Sequence, residues 1–152
     1  MGLFPLFAEL SGEPVLVVGG GRVARRRVPR LLEAGALVTL ISPDVDPDLS
    51  RLASEGTITW IRRPYVEGDE GAFRLVFALT NDPALNDRIA SRTGAPLTNV
   101  ATRTGFRPLT VPATRREASC VFAIACHPPD PERSRKLAEL CLSAIRGEQA
   151  HA

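Results

Sequence analysis

Val15-Leu16-Val17-Val18-Gly19-Gly20-Gly21-Arg22-Val23-Ala24 joins an apolar run to three glycines and then to a helical pattern. Four aliphatic residues in a row, preceded by Pro14, read as a short strand buried on both faces. Arg22 to Ala34 carries Val23, Val28, Leu31 and Leu32 at helical spacing. Gly19, Gly21 and Ala24 satisfy the pattern GxGxxA, with a strand before it and a helix after it. The reason for such a pattern is steric. Gly19 permits a tight turn, Gly21 lets a pyrophosphate approach the backbone, and Ala24 lets helix and strand pack closely. Amides at the helix N-terminus then face the phosphates with a favourable dipole. The stretch points to a dinucleotide; a tight turn without a ligand is the plainer alternative.

Working outward, Pro29 is awkward inside the first helix, because it lacks an amide donor and crowds the previous turn. A kink or a late helix start is expected there, and Gly35 is placed as the C-cap. Leu37 to Ile41 is a second apolar strand, closed by Ser42-Pro43. The unit is βαβ, so its strands should be parallel with a right-handed crossover. The alternation continues with a helix over 48–55 ending at Gly56, a strand over 57–61 and a loop or short helix over 71–73. A strand over 75–79, a helix over 84–93 ended by Gly94 and a strand over 97–100 complete it. Strands alternating with helices define an α/β, Rossmann-like doubly wound parallel sheet.

The texture changes from Arg103, with Pro108, Pro112 and a Thr/Arg-rich stretch. A long apolar strand over 119–126 follows, then the turn His127-Pro128-Pro129-Asp130-Pro131. A last helix over 132–146 has Asp130 as its N-cap. Its apolar stripe is Leu137, Leu140, Cys141, Ala144 and Ile145, which must cover either the sheet or a second subunit. The division expected is a nucleotide domain over 1–112 and a short strand–helix dimerisation segment over 113–152.

Composition narrows the class. The chain has 152 residues, 44% hydrophobic and 24% charged, which excludes a disordered chain, a collagen-like repeat and a long coiled coil. No apolar run is long enough to span a bilayer, and Met1 to Pro14 lacks the basic start and small-residue cleavage site of a secretory signal. A cytoplasmic protein without membrane partners is therefore expected. The net charge of +2 and an aromatic content of 5%, with no zinc-finger or helix-turn-helix pattern, argue against nucleic acid. Lys136 is the single lysine, every other basic residue being arginine. Codon bias accounts for that skew as readily as a need for planar guanidinium forks. Cys120, Cys126 and Cys141 are odd in number and lack CxxC spacing, so they read as reduced, mostly buried thiols.

The acidic ribose partner that usually closes the second strand is replaced by Ser42-Pro43, with Asp44 and Asp46 just beyond. Ser42 or Asp44 can bond a ribose hydroxyl. With no arginine beside Ser42 in sequence, NAD is favoured over its 2′-phosphorylated form. Cys126 and His127 offer a soft and a borderline metal ligand, but Cys120, Phe122, Ile124 and Cys126 also alternate as an ordinary core face. No further ligands stand at a recognisable spacing, so no metal site is expected. His151 lies in a polar tail. Arg103, Arg107, Arg115 and Arg116 suit either a polycarboxylate substrate or a solvated basic face.

Further stretches extend the glycine loop into an ordered set. They are Leu3-Phe4-Pro5-Leu6-Phe7, Leu32-Glu33-Ala34-Gly35-Ala36 and Val38-Thr39-Leu40-Ile41-Ser42-Pro43. Trp60-Ile61-Arg62-Arg63-Pro64-Tyr65, Ala78-Leu79-Thr80-Asn81-Asp82-Pro83 and Asn99-Val100 follow. This set resembles precorrin-2 dehydrogenase, the NAD-binding module of siroheme synthases. The resemblance implies oxidation of precorrin-2, a tetrapyrrole, to sirohydrochlorin with hydride passing to NAD; some members also insert ferrous iron. It implies a homodimer built largely through the segment after the nucleotide domain. It implies nucleotide contacts at Gly20, Gly21, Arg22, Val23, Ser42, Pro43, Asp44, Thr80 and Asn81, beside Gly19 of the motif. Asn99, Arg103 and Arg107 fall on the substrate side.

The chain departs from the family in three places. The family carries an aspartate shortly after the Asn-Val pair, and Thr102 stands there instead. A threonine hydroxyl is no general base near neutral pH, whereas a carboxylate is. The Ser/Thr-Gly-Gly run of the family is replaced by Cys126-His127-Pro128-Pro129, where His127 is the nearest substitute acid–base group. The family's C-terminal part has several more helices than the single one here. Two functions follow: the NAD-dependent dehydrogenase, or a non-catalytic relative that binds nucleotide or tetrapyrrole as carrier, sensor or accessory subunit.

Overall fold

The apolar run and the first two glycines form β1 (Pro14–Gly20), with every residue after Pro14 buried. A computed structural model describes residues 4–92, 97–100 and 109–149. Around β1 the chain builds α1 (Arg22–Glu33), β2 (Leu37–Val45), α2 (Pro47–Ser54), β3 (Thr59–Ile61), β4 (Leu75–Ala78), α3 (Pro83–Ser91) and β5 (Leu97–Val100). A 3-10 turn over Asp69–Ala72 precedes β4. The strands are all parallel, in the order β3-β2-β1-β4-β5. The chain thus winds outward from β1 to β3, then returns to the other side of β1. The expected doubly wound α/β sheet is what forms, and its switch point lies between β1 and β4.

Both faces of β1 are covered. Leu16 and Val18 join Ile41, Val76, Ala78 and Ile89 in one core cluster. Val15 and Val17 point the other way and are also fully buried. Ala24 is fully buried where α1 lies on β1, as close helix–strand packing requires. α1 begins at Arg22 and runs on past Pro29, so the late start does not occur. Pro29 and Arg25 are both exposed, and the carbonyl that loses its partner there meets water. Ala34 is the C-cap, and Gly35 is the next residue, at φ 80°.

Two glycines are fixed by neighbours rather than by a ligand. Gly19 has φ 100°, and a Cβ there would lie 2.8 Å from the Leu79 carbonyl oxygen. A Cβ on Gly20 would lie 2.5 Å from Val45 Cγ1 and 2.6 Å from the Asp44 carbonyl oxygen. The second contact arises because β2 does not stop at Ile41. Val18 faces Ile41 and Gly20 faces Val45, so β2 bulges through Ser42, Pro43 and Asp44 before rejoining β1.

Contacts divide the chain into Leu6–Leu109 and a second unit containing Thr110–Ala152. In the second, β6 (Ala113–Glu117) and β7 (Cys120–Ile124) form an antiparallel hairpin that packs on α4 (Pro131–Gln149). β6 is the Thr/Arg-rich stretch, whose strand character composition hid. Asp130 accepts from the Arg133 amide at 2.9 Å, as an N-cap does. Ser134 is buried; its hydroxyl accepts from the Cys126 amide at 3.1 Å and donates to the Asp130 carbonyl at 2.7 Å. The apolar stripe of α4 is not one face. Ser134 and Ala138 are buried with Leu137, Leu142 and Ile145 beside them, while Leu140, Cys141 and Ala144 are exposed. The thiols are free but not mostly buried: Cys120 and Cys141 are exposed and Cys126 is intermediate. A two-stranded hairpin under one helix has too little cover to bury them. No helix among the described residues is long and apolar enough to cross a membrane.

Gly19→Ala must shift a neighbouring backbone and hold a Cβ at positive φ. It is expected to cost about 2–4 kcal/mol of stability in urea denaturation.

Candidate functional site

A cavity of about 460 Å³ opens at the C-terminal ends of β1, β2 and β4. Gly19, Gly20 and Gly21 line it from β1, Ser42, Pro43 and Asp44 from β2, and Thr80 and Asn81 from beyond β4. Eight of the ten residues expected at a nucleotide thus share one concavity, although they come from three separate stretches of chain. It is the place where an open parallel sheet takes its ligand.

The start of α1 differs from the starts of the other helices. Asp46 caps α2, accepting from the Asp48 amide at 3.1 Å. Asp82 caps α3, accepting from the Ala84 amide at 2.9 Å, and Asp130 serves α4. α1 has Gly21 as N-cap, no side-chain cap and no acidic residue in its first turn. Its leading amides therefore keep their positive end for another anion. Among the described residues a Cβ on Gly21 would meet nothing within 4 Å, so the space they leave beside it is open. Bare amides, open space and an apolar-walled cavity fit the pyrophosphate and one nucleoside of a dinucleotide. Arg22 and Val23 do not line the cavity; they follow Gly21 in the first turn of α1.

The two rims facing the glycines are held rigidly. On β2, Ser42 Oγ donates to the Asp44 carbonyl at 2.6 Å, and the Trp60 indole donates to the Ser42 carbonyl at 2.9 Å. The Asp46 amide donates to the Gly20 carbonyl at 2.8 Å, pinning the bulge to β1. Beyond β4, fully buried Asn86 grips Thr80. Its Oδ1 accepts from the Thr80 amide at 3.1 Å and hydroxyl at 2.8 Å, and its Nδ2 donates to the Thr80 carbonyl at 3.0 Å. Asn86 carries no motif, and only its burial beside the turn reveals it.

Tyr65 also lines the cavity. Its hydroxyl donates to Glu70, a buried carboxylate that also accepts from the Gly68 amide at 3.1 Å and pairs with Arg92. Burial, then the bond to Glu70, push the Tyr65 hydroxyl up to about 12, so it stays protonated and donating. Burial alone would raise Glu70. The Tyr65 bond, the amides and Arg92 outweigh it and hold the carboxyl below its usual range.

The remaining candidates are dispersed. Asn99 is buried in β5 and its Nδ2 donates to the Leu109 carbonyl at 2.8 Å; it does not line the cavity. Thr102, Arg103, Arg107, Gly94 and His151 lie outside the described residues. His127 is exposed on the turn after β7, and no cluster able to hold a metal ion occurs among the described residues. Arg115 is engaged by Glu139, with Nε at 2.7 Å, and Arg116 is exposed.

A glycine turn, an uncapped helix and a switch-point cavity define a dinucleotide-binding α/β domain. Residues 6–113 match the family model described as "Putative NAD(P)-binding". The chain belongs to that family. It is 35% identical over 141 residues to Siroheme synthase 1 of Cronobacter sakazakii, covering 91% of this chain and 30% of that protein. It is 43% identical over 89 residues to the siroheme synthase of Neisseria meningitidis, covering 59% of this chain and 18% of that one. The chain therefore spans less than a third of the length of these relatives. Among solved structures, "SirC, precorrin-2 dehydrogenase" superposes with a TM-score of 0.82 at 25% identity, covering 93% of this chain and 71% of that one. The family resemblance read from the sequence holds, and with it an NAD(P)-binding domain.

Glu70→Gln keeps the shape and removes the charge. A carboxyl whose folded pKa is depressed adds stability above its unfolded value, near 4.3, and loses it as pH falls through the folded one. The variant is expected to lose about 1–3 kcal/mol at pH 7 by urea denaturation. The difference should shrink as the pH is taken below about 4.

Proposed function

We propose that the chain is an NAD-dependent precorrin-2 dehydrogenase, converting precorrin-2 to sirohydrochlorin in siroheme biosynthesis. The observation that carries this is the uncapped, glycine-flanked start of α1 opening on the switch-point cavity. Its weight comes from the company the chain keeps, a precorrin-2 dehydrogenase structure and siroheme synthase sequences. When bound, NAD supplies the hydride acceptor for the oxidation. The amides of Gly20, Gly21, Arg22 and Val23 hold the pyrophosphate, with Gly19 shaping the turn. Ser42, Pro43 and Asp44 take the adenosine ribose, while Thr80 and Asn81 orient the other end.

On the substrate side the proposal places Asn99, Arg103 and Arg107, whose donors suit a macrocycle bearing many carboxylates. Thr102 provides a hydroxyl but no base, so these residues act by holding donor and acceptor carbons in line, and the proton lost with the hydride passes to one of the substrate's own carboxylates. Division at 112/113, a homodimer and a cytoplasmic location belong to the same reading. Exposed Leu140, Cys141 and Ala144 on α4 support a subunit contact through the C-terminal segment. The non-catalytic alternative draws only on Thr102, and the siroheme synthases and the precorrin-2 dehydrogenase named above lend it no support.

Anaerobic incubation with precorrin-2 and NAD, followed by NADH fluorescence, tests the reaction directly. Turnover is expected. Gly21→Val fills open space but is a poorer N-cap, so it should cost no more than about 1–2 kcal/mol of stability, yet weaken NAD binding tenfold or more. NAD binding without turnover in the parent chain, with turnover gained in Thr102→Asp, would replace the dehydrogenase by the non-catalytic relative.

A further inference from the structure

β2 and β3 pair in parallel with Ile41 opposite Ile61, so the next residues, Ser42 and Arg62, emerge side by side. The arginine missing next to Ser42 in sequence is therefore present in space. Three contacts place it. The Arg62 guanidinium lies over the Trp60 ring, 5.4 Å from its centroid. Its Nε approaches the Pro43 carbonyl at 3.3 Å as a donor. One terminal nitrogen lies 3.7 Å from the Asp44 carboxylate. Trp60 is itself fixed, because its indole donates to the Ser42 carbonyl. The guanidinium thus reaches Pro43 and Asp44, two of the residues that line the cavity, although Arg62 itself does not line it.

Among the described residues the terminal nitrogens of Arg62 make no hydrogen bond; the Asp44 approach is an ion pair at long range. The Asp44 side chain is 90% exposed and has no other ion-pair partner among the described residues. It can turn to water at little cost, since so exposed a pair is only weakly held. A phosphate on the ribose held by Ser42–Asp44 would meet a planar fork with free donors, the geometry that favours charge-assisted, two-point binding.

We propose that Arg62, seated on Trp60, forms a 2′-phosphate subsite, so that the chain binds NADP as well as NAD. The subsite rests on the dinucleotide reading of the cavity. With a free 2′-hydroxyl, Asp44 faces the ribose and Arg62 stays paired to it. With a 2′-phosphate, Arg62 turns its terminal nitrogens to the phosphate oxygens and Asp44 swings outward.

Calorimetric titration of the full chain with NAD, NADP and 2′,5′-ADP tests this. The NADP dissociation constant is expected within tenfold of that for NAD, weakening more steeply with added salt. Arg62→Ala should raise the NADP-to-NAD ratio of constants at least tenfold and abolish 2′,5′-ADP binding. Arg62→Lys should raise the ratio less, and Asp44→Asn should lower it. Binding of NAD with no binding of NADP, or an unchanged ratio in Arg62→Ala, overturns the subsite and leaves the dinucleotide site standing. Failure of all three ligands to bind overturns both.

Discussion

The close approach of three backbones at the end of β1 is the constraint on which the rest depends. Leu79 presses on Gly19 from one side, and Asp44 and Val45 press on Gly20 from the other. Neither position has room for a Cβ. Because both positions are glycine, the end of β2 and the residue after β4 come close to β1 from its two sides, and the segments there line one cavity. Gly21 is a different kind of glycine. None of the described residues crowds it, so its bareness serves what enters rather than what surrounds it.

The same division runs through the helix starts and charges. Aspartates close α2, α3 and α4, and α1 is left without one at the position that faces the cavity. A protein gains nothing in stability from an uncapped helix, so the omission is read as binding geometry. Charge is likewise sorted by burial. Glu70 is enclosed and meets Tyr65, an amide and Arg92. Asp44 and Arg62 stay in water and are only loosely paired.

Much of the nucleotide half is legible without coordinates. Strand, glycines and helix occur in an order that allows one backbone solution, and turn residues such as Ser42-Pro43 and Asp82-Pro83 mark the strand ends that become the rims. The C-terminal unit is less legible. β6 reads as polar because one side of a two-stranded hairpin faces water, which erases the apolar alternation. The stripe on α4 is wider than the surface it covers, so spacing alone does not tell its buried members from its exposed ones.

The sequence by itself determined the βαβ beginning, the glycine turn and the family, because these depend on local conformation and on spacing along the chain. Tertiary structure alone decided what reaches the cavity from afar. Arg62 comes to Pro43 through the β2–β3 register, Asn86 to Thr80 through the turn into α3, and Tyr65 to the wall through its bond to Glu70. Each depends on which strands lie side by side and in what register, and those are set by the packing of the whole sheet.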